Sequence, residues 1–347
     1  MKSGALGREA EGPVSPDDHP RLPEGKRNPA ALDPDRGWYP ADLVMLAYLA
    51  VTGILAVCSP FPWKDKQHFI LLQSVFLAVV VLLHYARRNA PWPLHFFRHA
   101  YALLSLPFLY KSVPQVSRLT SPGYFDDWVV HQEWRIFGCQ PSQILHSAIP
   151  WMIFSEFLHL TYLSYMLLVP VVALTLYLRR RFAALMEFTT TVLATFLFCY
   201  AVFAIFPVRG PFYYFGPIDP QLKGVIFPQM VHRMLQSASI GTAFPSSHVA
   251  AAVSIWLVGR RHLPKFAPVL FVIAVGIFVG TVYGGFHYAV DAIAGLAVGV
   301  GFGLLGPRLH AWICRLIGLA QTAAESMVLV TSPQIPIPRR GGRQRHA

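Results

Sequence analysis

The sequence predicts an all-α protein: a polytopic membrane helical bundle with about eight transmembrane helices. Of its 347 residues, 54% are hydrophobic and only 13% are charged, and the mean hydropathy is +0.44. A soluble domain carries about 25% charged residues. The apolar residues are gathered in runs close to the roughly 20 residues with which a helix crosses the hydrocarbon core. These observations exclude a soluble enzyme and predict an integral membrane protein.

Eight apolar segments are the predicted spans. The third is the weakest, because His95, Arg98 and His99 crowd its start and Pro107 interrupts it. The fourth is long enough for its first residues to lie in the membrane interface. The spans cover residues 41–58, 69–86, 95–112, 150–178, 183–206, 245–259, 266–284 and 288–306.

The chain divides into four parts. Residues 1–37 are rich in proline, glycine and charge and are expected to form a disordered tail. They lack the apolar core of a signal peptide, so the first span is expected to act as an uncleaved anchor. Residues 38–112 hold the N-terminal transmembrane helices, 113–306 the catalytic membrane core, and 307–347 a basic C-terminal tail.

Basic residues give the chain an orientation, since short cytoplasmic loops are enriched in Lys and Arg. The dense clusters fall between spans 2 and 3, 4 and 5, and 6 and 7, and both tails join that side. The prediction is therefore two cytoplasmic termini, with Arg209, His248 and His287 on the non-cytoplasmic face. The clusters are Arg87 and Arg88, Arg179 to Arg181, and Arg260, Arg261 and Lys265.

The net charge of +12 needs no nucleic acid as a partner. Basic residues that flank spans, and a basic tail near anionic lipid headgroups, account for it. The partners expected are the membrane, a phospholipid or lipid phosphate substrate, and a lipid or polyol acceptor. Cys58 and Cys139 both map to the outer side, which leaves a disulfide between them open.

Two short strings at the starts of apolar segments carry the candidate chemistry. His287 and Asp291 are spaced i, i+4, which places them on one face of a helix. A carboxylate bonded to one imidazole nitrogen fixes the tautomer and directs the other lone pair. His287 is therefore the candidate nucleophile, which would attack phosphorus and form a phosphohistidine. Asp291 would orient it.

The second string begins at Pro245, a residue that suits the first turn of a helix. The N–H groups of Ser246, Ser247 and His248 would then form an anion site, with the two serine hydroxyls as phosphate donors. His248 would protonate the leaving oxygen and later deprotonate the acceptor. Arg209, held by the Gly-Pro turn that follows it, would bind the phosphate oxygens.

These strings resemble the type 2 phosphatidic acid phosphatase superfamily, whose signatures read approximately K-x6-R-P, P-S-G-H and S-R-x5-H-x3-D. The second signature appears here as Pro245-Ser246-Ser247-His248, and the third ends in His287-x3-Asp291. The chain departs from the family pattern at three places. Val202 replaces the lysine, Gly210 precedes Pro211 after the arginine, and Gly280-Thr281 replaces Ser-Arg.

The spacing is closer to the inositol phosphorylceramide synthase branch, the inositolphosphotransferases. The chain reads F-P-S-x-H from Phe244 to His248 and Y-x3-H-Y-x2-D from Tyr283 to Asp291. Its preceding segment is also similar, with Asp127, Phe137-Gly138 and Pro141 before Tyr162 and Tyr165. The resemblance covers about residues 120 to 306 and implies a six-helix phosphatase-like core, a phosphohistidine intermediate and no metal or other cofactor.

Three further residues are candidate substrate contacts. Tyr283 belongs to the branch motif, and Lys223 lies in the outer loop 212–243. Asp127 lies in an acidic and aromatic segment around Trp128. That segment is interpreted either as a lid or headgroup pocket, or as an amphipathic piece anchored by interfacial aromatics.

The expected function is a metal-independent membrane phosphotransferase that moves a phosphoryl group or a phospho-headgroup, such as inositol phosphate, between lipids. If water is the acceptor, the enzyme is instead a lipid phosphate phosphatase. A lipid or anion transporter that uses the same polar cluster is the alternative of another class, although no pair of interrupted helices points to it. Metal chemistry is disfavoured, because no His-Glu-x-x-His pattern occurs and basic residues surround the histidines.

Overall fold

The computed structural model describes residues 38–85, 92–216 and 224–317. Residues 1–37, Arg87, Arg88, Lys223 and the part of the C-terminal tail after residue 317 lie outside these residues. The described parts are helical and contain no β-strand, only an isolated parallel bridge between Val208 and Thr242. The helices are α1 (Pro40–Cys58), α2 (Trp63–His84), α3 (Trp92–Leu104), α4 (Leu106–Thr120), α5 (Asp126–Phe137), α6 (Pro141–Ala148), α7 (Met152–Leu178), α8 (Phe182–Ile205), α9 (Pro211–Tyr214), α10 (Phe227–Gln236), α11 (Ser247–His262), α12 (Ala267–Tyr283) and α13 (Ala289–Leu316).

Six helices in the described ranges are long and apolar enough to cross a membrane: α1, α2, α7, α8, α12 with the short turn before it, and α13. This confirms the prediction of an all-α, multi-pass membrane bundle. The last helix continues to Leu316, ten residues beyond the predicted end of its span at residue 306. The sixth predicted span is α11, a 16-residue helix whose last turn contains Arg260, Arg261 and His262.

The third predicted span is two helices rather than one. Pro107 has no N–H with which to continue the helix, and α4 begins there with a proline in its first turn. The charges that crowd the start of this span are paired. Both terminal nitrogens of Arg98 donate to Asp42 on α1, at 2.9 and 2.7 Å. An ion pair inside a membrane is tolerated when each partner is satisfied in this way.

Helix α8 is the centre of the bundle and packs against α1, α4, α11 and α13. Its apolar residues lie on all sides, as expected of a helix without a solvent face. Phe188, Val192, Leu193 and Phe203 are fully buried. Six of the described helices surround α8, namely α1, α3, α4, α7, α11 and α13, and α11 and α13 lie side by side on it.

Small residues allow α11 and α13 to pack at very short range. A Cβ added at Gly299 of α13 would lie 2.6 Å from the carbonyl oxygen of Ala250 on α11. Gly295 and Gly303, one turn to either side, meet α11 equally closely. This small-xxx-small pattern lets two backbones approach in a membrane. It holds the start of α11, which contains His248, next to the start of α13, which follows His287.

The segment between spans 3 and 4 forms α5 and α6. One face of α5 is exposed at Trp128 and Trp134, whereas Asp126 and Glu133 on the other face are buried. Glu133 accepts hydrogen bonds from the N–H groups of Ala289 and Val290, at 2.5 and 3.3 Å. The helix is thus amphipathic, and its buried face lies on the start of α13.

The four cysteines, Cys58 and Cys139 included, are free thiols.

Candidate active site

His287 lies in the turn between α12 and α13 and is almost completely buried. Its Nδ1 lies 3.0 Å from the carbonyl oxygen of Ala243 and 3.6 Å from Oδ2 of Asp291. A distance of 3.6 Å is too long for a hydrogen bond, so the carbonyl of Ala243 is the partner of the Nδ1 proton. Asp291 Oδ2 instead accepts the N–H of Tyr288, at 2.9 Å. The tautomer is therefore fixed by a backbone carbonyl, with the carboxylate as a nearby charge.

The second imidazole nitrogen of His287 faces His248. Nε2 of His287 and Nδ1 of His248 are 3.4 Å apart. On its other side, Nε2 of His248 lies 3.4 Å from the hydroxyl of Tyr162, and the ring of Tyr165 lies 4.4 Å away, centroid to centroid. The structure thus brings the two predicted histidines into contact, and two tyrosines of α7 form the wall behind His248.

The two serines have different places. Ser246 is the N-cap of α11, and its fully buried hydroxyl accepts the N–H of Val249 at 3.5 Å. Ser247 is the first residue of the helix and lines the cavity beside the histidines. Pro245 therefore precedes the helix and is not in its first turn, which corrects the expected start. The N–H groups of Ser247 and His248 occupy first-turn positions, which helix geometry leaves without a partner in the helix.

Arg209 is held by Asp126 at the start of α5. Oδ2 of Asp126 accepts both the backbone N–H of Arg209, at 3.0 Å, and its Nε–H, at 3.2 Å. Oδ1 accepts the N–H of Gly210 at 3.0 Å and the hydroxyl of Tyr288 at 3.2 Å. One carboxylate therefore connects the arginine loop to the residue that follows His287.

Backbone contacts place the Arg209 loop against the loop that precedes α11. The N–H of Ala243 donates to the carbonyl of Val208 at 2.9 Å. Gly210 has a φ of +90°, and a Cβ there would lie 3.1 Å from the carbonyl oxygen of Phe286. Only glycine accepts both this conformation and this close approach without strain. The conformation brings Arg209 to the same cavity as the histidines.

The guanidinium of Arg209 is partly exposed, at 36% of its side chain. Its Cζ lies 5.2 Å from the ring centres of both Tyr124 and Tyr214, within the range of cation–π attraction. Tyr214 donates a hydrogen bond to Asp127, and this bond raises the pKa of the Tyr214 hydroxyl. Asp127 is therefore a neighbour of the arginine through Tyr214 and does not contact the histidines.

Tyr283, one of the candidate substrate contacts, does not line the cavity. The Tyr283 hydroxyl donates to the carbonyl of Ile149 at 2.9 Å, and its ring packs edge-on against Phe154. Lys223 lies outside the described residues. Among the side chains that the structure describes, no group of three or more His, Cys, Asp or Glu is arranged to hold a metal ion.

A cavity of about 640 Å³ begins at Arg209, His248 and His287 and continues into the membrane region between α4 and α7. Apart from its polar end, the lining is mostly aliphatic and aromatic. Lys111 of α4 also lines this cavity, and its Nζ donates to the carbonyl of Ser237 at 2.7 Å. An apolar cavity with a few convergent polar groups at one end is typical of a site for an amphipathic ligand.

Several residues of this site were not found from the sequence. The sequence pattern indicated Asp127 and not its neighbour Asp126. No residue spacing in the sequence indicates the role of the Ala243 carbonyl, the burial of Glu133 or the position of Lys111. Burial raises the pKa of the Glu133 carboxyl to about 7. One local signal existed for Asp126, because the first turn of an amphipathic helix is a frequent place for an acidic residue.

Comparisons with known proteins agree with the geometry. A family model described as the PAP2 superfamily matches residues 132–305, half of the chain. The chain belongs to this superfamily. The matched part contains Arg209, His248 and His287, whereas Asp126 precedes it. PAP2 membership supports a membrane enzyme of the lipid phosphatase or phosphotransferase type.

A PA-phosphatase related-family protein of Dictyostelium discoideum is 30% identical to this chain over 112 residues. The alignment covers 30% of this chain and 20% of that relative, so the chain spans about a fifth of the relative's length. No solved structure matches the chain. The PAP2 match therefore assigns the superfamily but not its inositolphosphotransferase branch.

Proposed function

We propose that this PAP2 protein is a metal-independent lipid phosphotransferase that works through a phosphohistidine at His287. One observation carries the proposal: the bonded Nδ1 of His287 leaves its Nε2 facing His248, 3.4 Å away, at the polar end of an apolar cavity. A nucleophile within reach of an acid–base partner is the arrangement that covalent catalysis needs. Asp291 and the carbonyl of Ala243 would stabilise the imidazole as it gains positive charge.

In the first step, Nε2 of His287 forms a bond to phosphorus while the bond from phosphorus to the leaving oxygen breaks. His248, protonated at this stage, gives its proton to that oxygen. Arg209 and the N–H groups of Ser247 and His248 would bind the phosphate oxygens and stabilise the charge that develops on them. Ser246 would act as the helix cap that keeps these N–H groups in place.

In the second step, His248 takes the proton of an acceptor hydroxyl, whose oxygen attacks the phosphohistidine and frees His287. An acceptor on a lipid or polyol gives transfer, for which the similarity to the inositolphosphotransferases is the argument, with inositol phosphate as the headgroup class. Water as the acceptor gives hydrolysis instead. The partial exposure of Arg209 favours this second candidate, because water can reach the site from the same side.

The deciding experiment supplies purified protein with a panel of phospholipids labelled in the phosphate, in the presence of a chelator. The variant His287→Ala is expected to lose activity by at least about 10³-fold, as removal of a nucleophile does. The matched control is His68→Ala, since His68 is exposed on α2, away from the site. Label trapped on His287 after an alkaline quench would support the intermediate, and the labelled product would separate transfer from hydrolysis. Unchanged turnover by His287→Ala, or turnover lost with the chelator, would contradict the proposal.

We also propose that the site faces the non-cytoplasmic side, with both termini inside. The arginines of the α7–α8 turn and of the end of α11 lie at the opposite ends of the helices from the histidines, which supports this orientation. Single-cysteine variants test it with a membrane-impermeant maleimide. Cys139, after α5, is expected to react in intact cells, and Cys314, near the end of α13, only after permeabilisation. The reverse pattern would overturn the orientation.

A further inference from the structure

The cavity beneath the histidines extends further into the bundle than is needed to hold a phosphate group at Arg209, His248 and His287. On α7 the residues that line it are spaced three and four apart from Tyr162 to Tyr177, which is one face of the helix. On α3 and α4 the lining runs in the same way from Lys111 down to Phe96. Both faces line the same cavity, and α7 packs on α8 beside α3 and α4. The cavity is thus a groove between two continuous apolar stripes.

The length of the groove can be compared with the bilayer. The fifteen helical steps from Tyr162 to Tyr177 rise about 22 Å at 1.5 Å per residue. One leaflet of the hydrocarbon core is about 15 Å deep, half of the ~30 Å total. An average helix tilt of about 20° shortens the depth by only about 1 Å. The groove is therefore longer than one leaflet of the hydrocarbon core is deep.

The far end of the groove is closed by contacts between α3 and α7. The rings of Phe96 and Tyr177 meet edge to face at 5.2 Å, and Nδ1 of His95 lies 3.1 Å from the Tyr177 hydroxyl. His99 lines the same end. An apolar channel with anion-binding groups at one end and a floor at the other fits a single anionic lipid, with its headgroup at Arg209 and its hydrocarbon below.

We propose that this groove binds an acyl chain of the lipid phosphate substrate, and that its depth selects long chains over short ones. The inference rests on the proposed function for the identity of the headgroup. Ala173 lies in the deep half of the α7 stripe, where a larger side chain would block the groove. Val171, two residues away on the same helix, is exposed and does not line the groove.

Photocrosslinking tests the position of the chain without any turnover. The probe is a phosphatidic acid with a diazirine at the end of a stearoyl chain, bound to the full-length protein in nanodiscs. We expect its label on the deep ends of α3 and α7, between Phe96 and Leu104 and between Pro170 and Tyr177, and we expect unlabelled distearoyl phosphatidic acid to compete for it. Label spread over the exposed faces of α2, or label that the competitor does not reduce, would overturn the proposal.

Kinetics on a chain-length series test the selection. Wild-type protein is expected to show a lower KM for distearoyl than for dioctanoyl phosphatidic acid. Ala173→Phe is expected to raise the KM for the distearoyl lipid about tenfold or more, since excluding two methylenes from an apolar wall is enough for this. The KM for the dioctanoyl lipid should stay unchanged, and Val171→Phe should behave as wild type.

Identical chain-length profiles in wild type and Ala173→Phe would contradict the groove and leave the proposed function intact. If the wild-type protein turns over no lipid phosphate, the proposed function fails. The crosslinking result then decides the groove by itself, because it needs binding and not chemistry.

Discussion

Asp126 accepts hydrogen bonds from both the backbone N–H and the guanidinium Nε–H of Arg209. The same carboxylate accepts the N–H of Gly210 and the hydroxyl of Tyr288. Arg209 and Tyr288 belong to different loops, so this single side chain sets the distance between the cation and the segment that carries His287.

Asp126→Asn is expected to lower activity through weaker positioning of Arg209. An amide offers one acceptor oxygen in place of two and leaves buried N–H groups without partners, at a cost of about 1–3 kcal/mol. The loss should appear mainly as a higher KM for the lipid phosphate, together with a lower Tm. Asp65→Asn, at an exposed position of α2, is the control. A wild-type KM in Asp126→Asn would refute this role.

Arg209→Lys is expected to raise KM about tenfold or more. Lysine keeps the charge but lacks the planar fork, so it cannot bind Asp126 and a phosphate at the same time in the geometry of arginine. The matched control is Arg118→Lys, since Arg118 is exposed near the end of α4. Steady-state kinetics on one labelled lipid phosphate measure both variants. If the two substitutions change KM equally, the positive charge at position 209 is sufficient and the planar fork of arginine is not required.

Glu133 predicts a pH dependence of stability. Burial raises the pKa of its carboxyl in the folded protein from 4.5 to about 7. The folded state therefore holds the proton more tightly than the unfolded chain, and its stability falls as the pH rises from about 4.5 to about 7. Glu133→Gln removes this contribution. The difference between the Tm of the variant and the Tm of wild type, both measured in detergent, should shift in favour of the variant as the pH rises across this window. If this difference does not change with pH, the assignment to Glu133 is contradicted.

The packing of α11 on α13 gives the last prediction. Gly299→Ala places a Cβ 2.6 Å from the carbonyl oxygen of Ala250, so the two helices must separate, at about 1–3 kcal/mol. Because α11 carries His248 and α13 begins two residues after His287, activity should fall along with the Tm. Gly301→Ala has open space around its Cβ and should keep both, with a small gain from helix propensity. Activity retained in Gly299→Ala would show that this spacing is not critical.

The apolar runs and the i, i+3/i+4 spacings are local properties of the chain, and they predicted the all-α membrane bundle. They placed Arg209, His248 and His287 at the ends of helices on one side, and the structure brings these three residues to one cavity. They also predicted that Pro107 would disturb the third span. Each of these features depends on residues within a few turns of one another, which is why the sequence was sufficient.

Only the tertiary structure decided which groups complete the site. Asp126 reaches Arg209 across 83 residues of chain, and the carbonyl of Ala243 reaches His287 across 44. The close packing of α11 on α13 and the groove between α4 and α7 also depend on helices that meet in space. No periodicity encodes such pairings, because they arise when helices bury their apolar faces against one another. The sequence determined the membrane bundle and its histidines, whereas packing chose their partners.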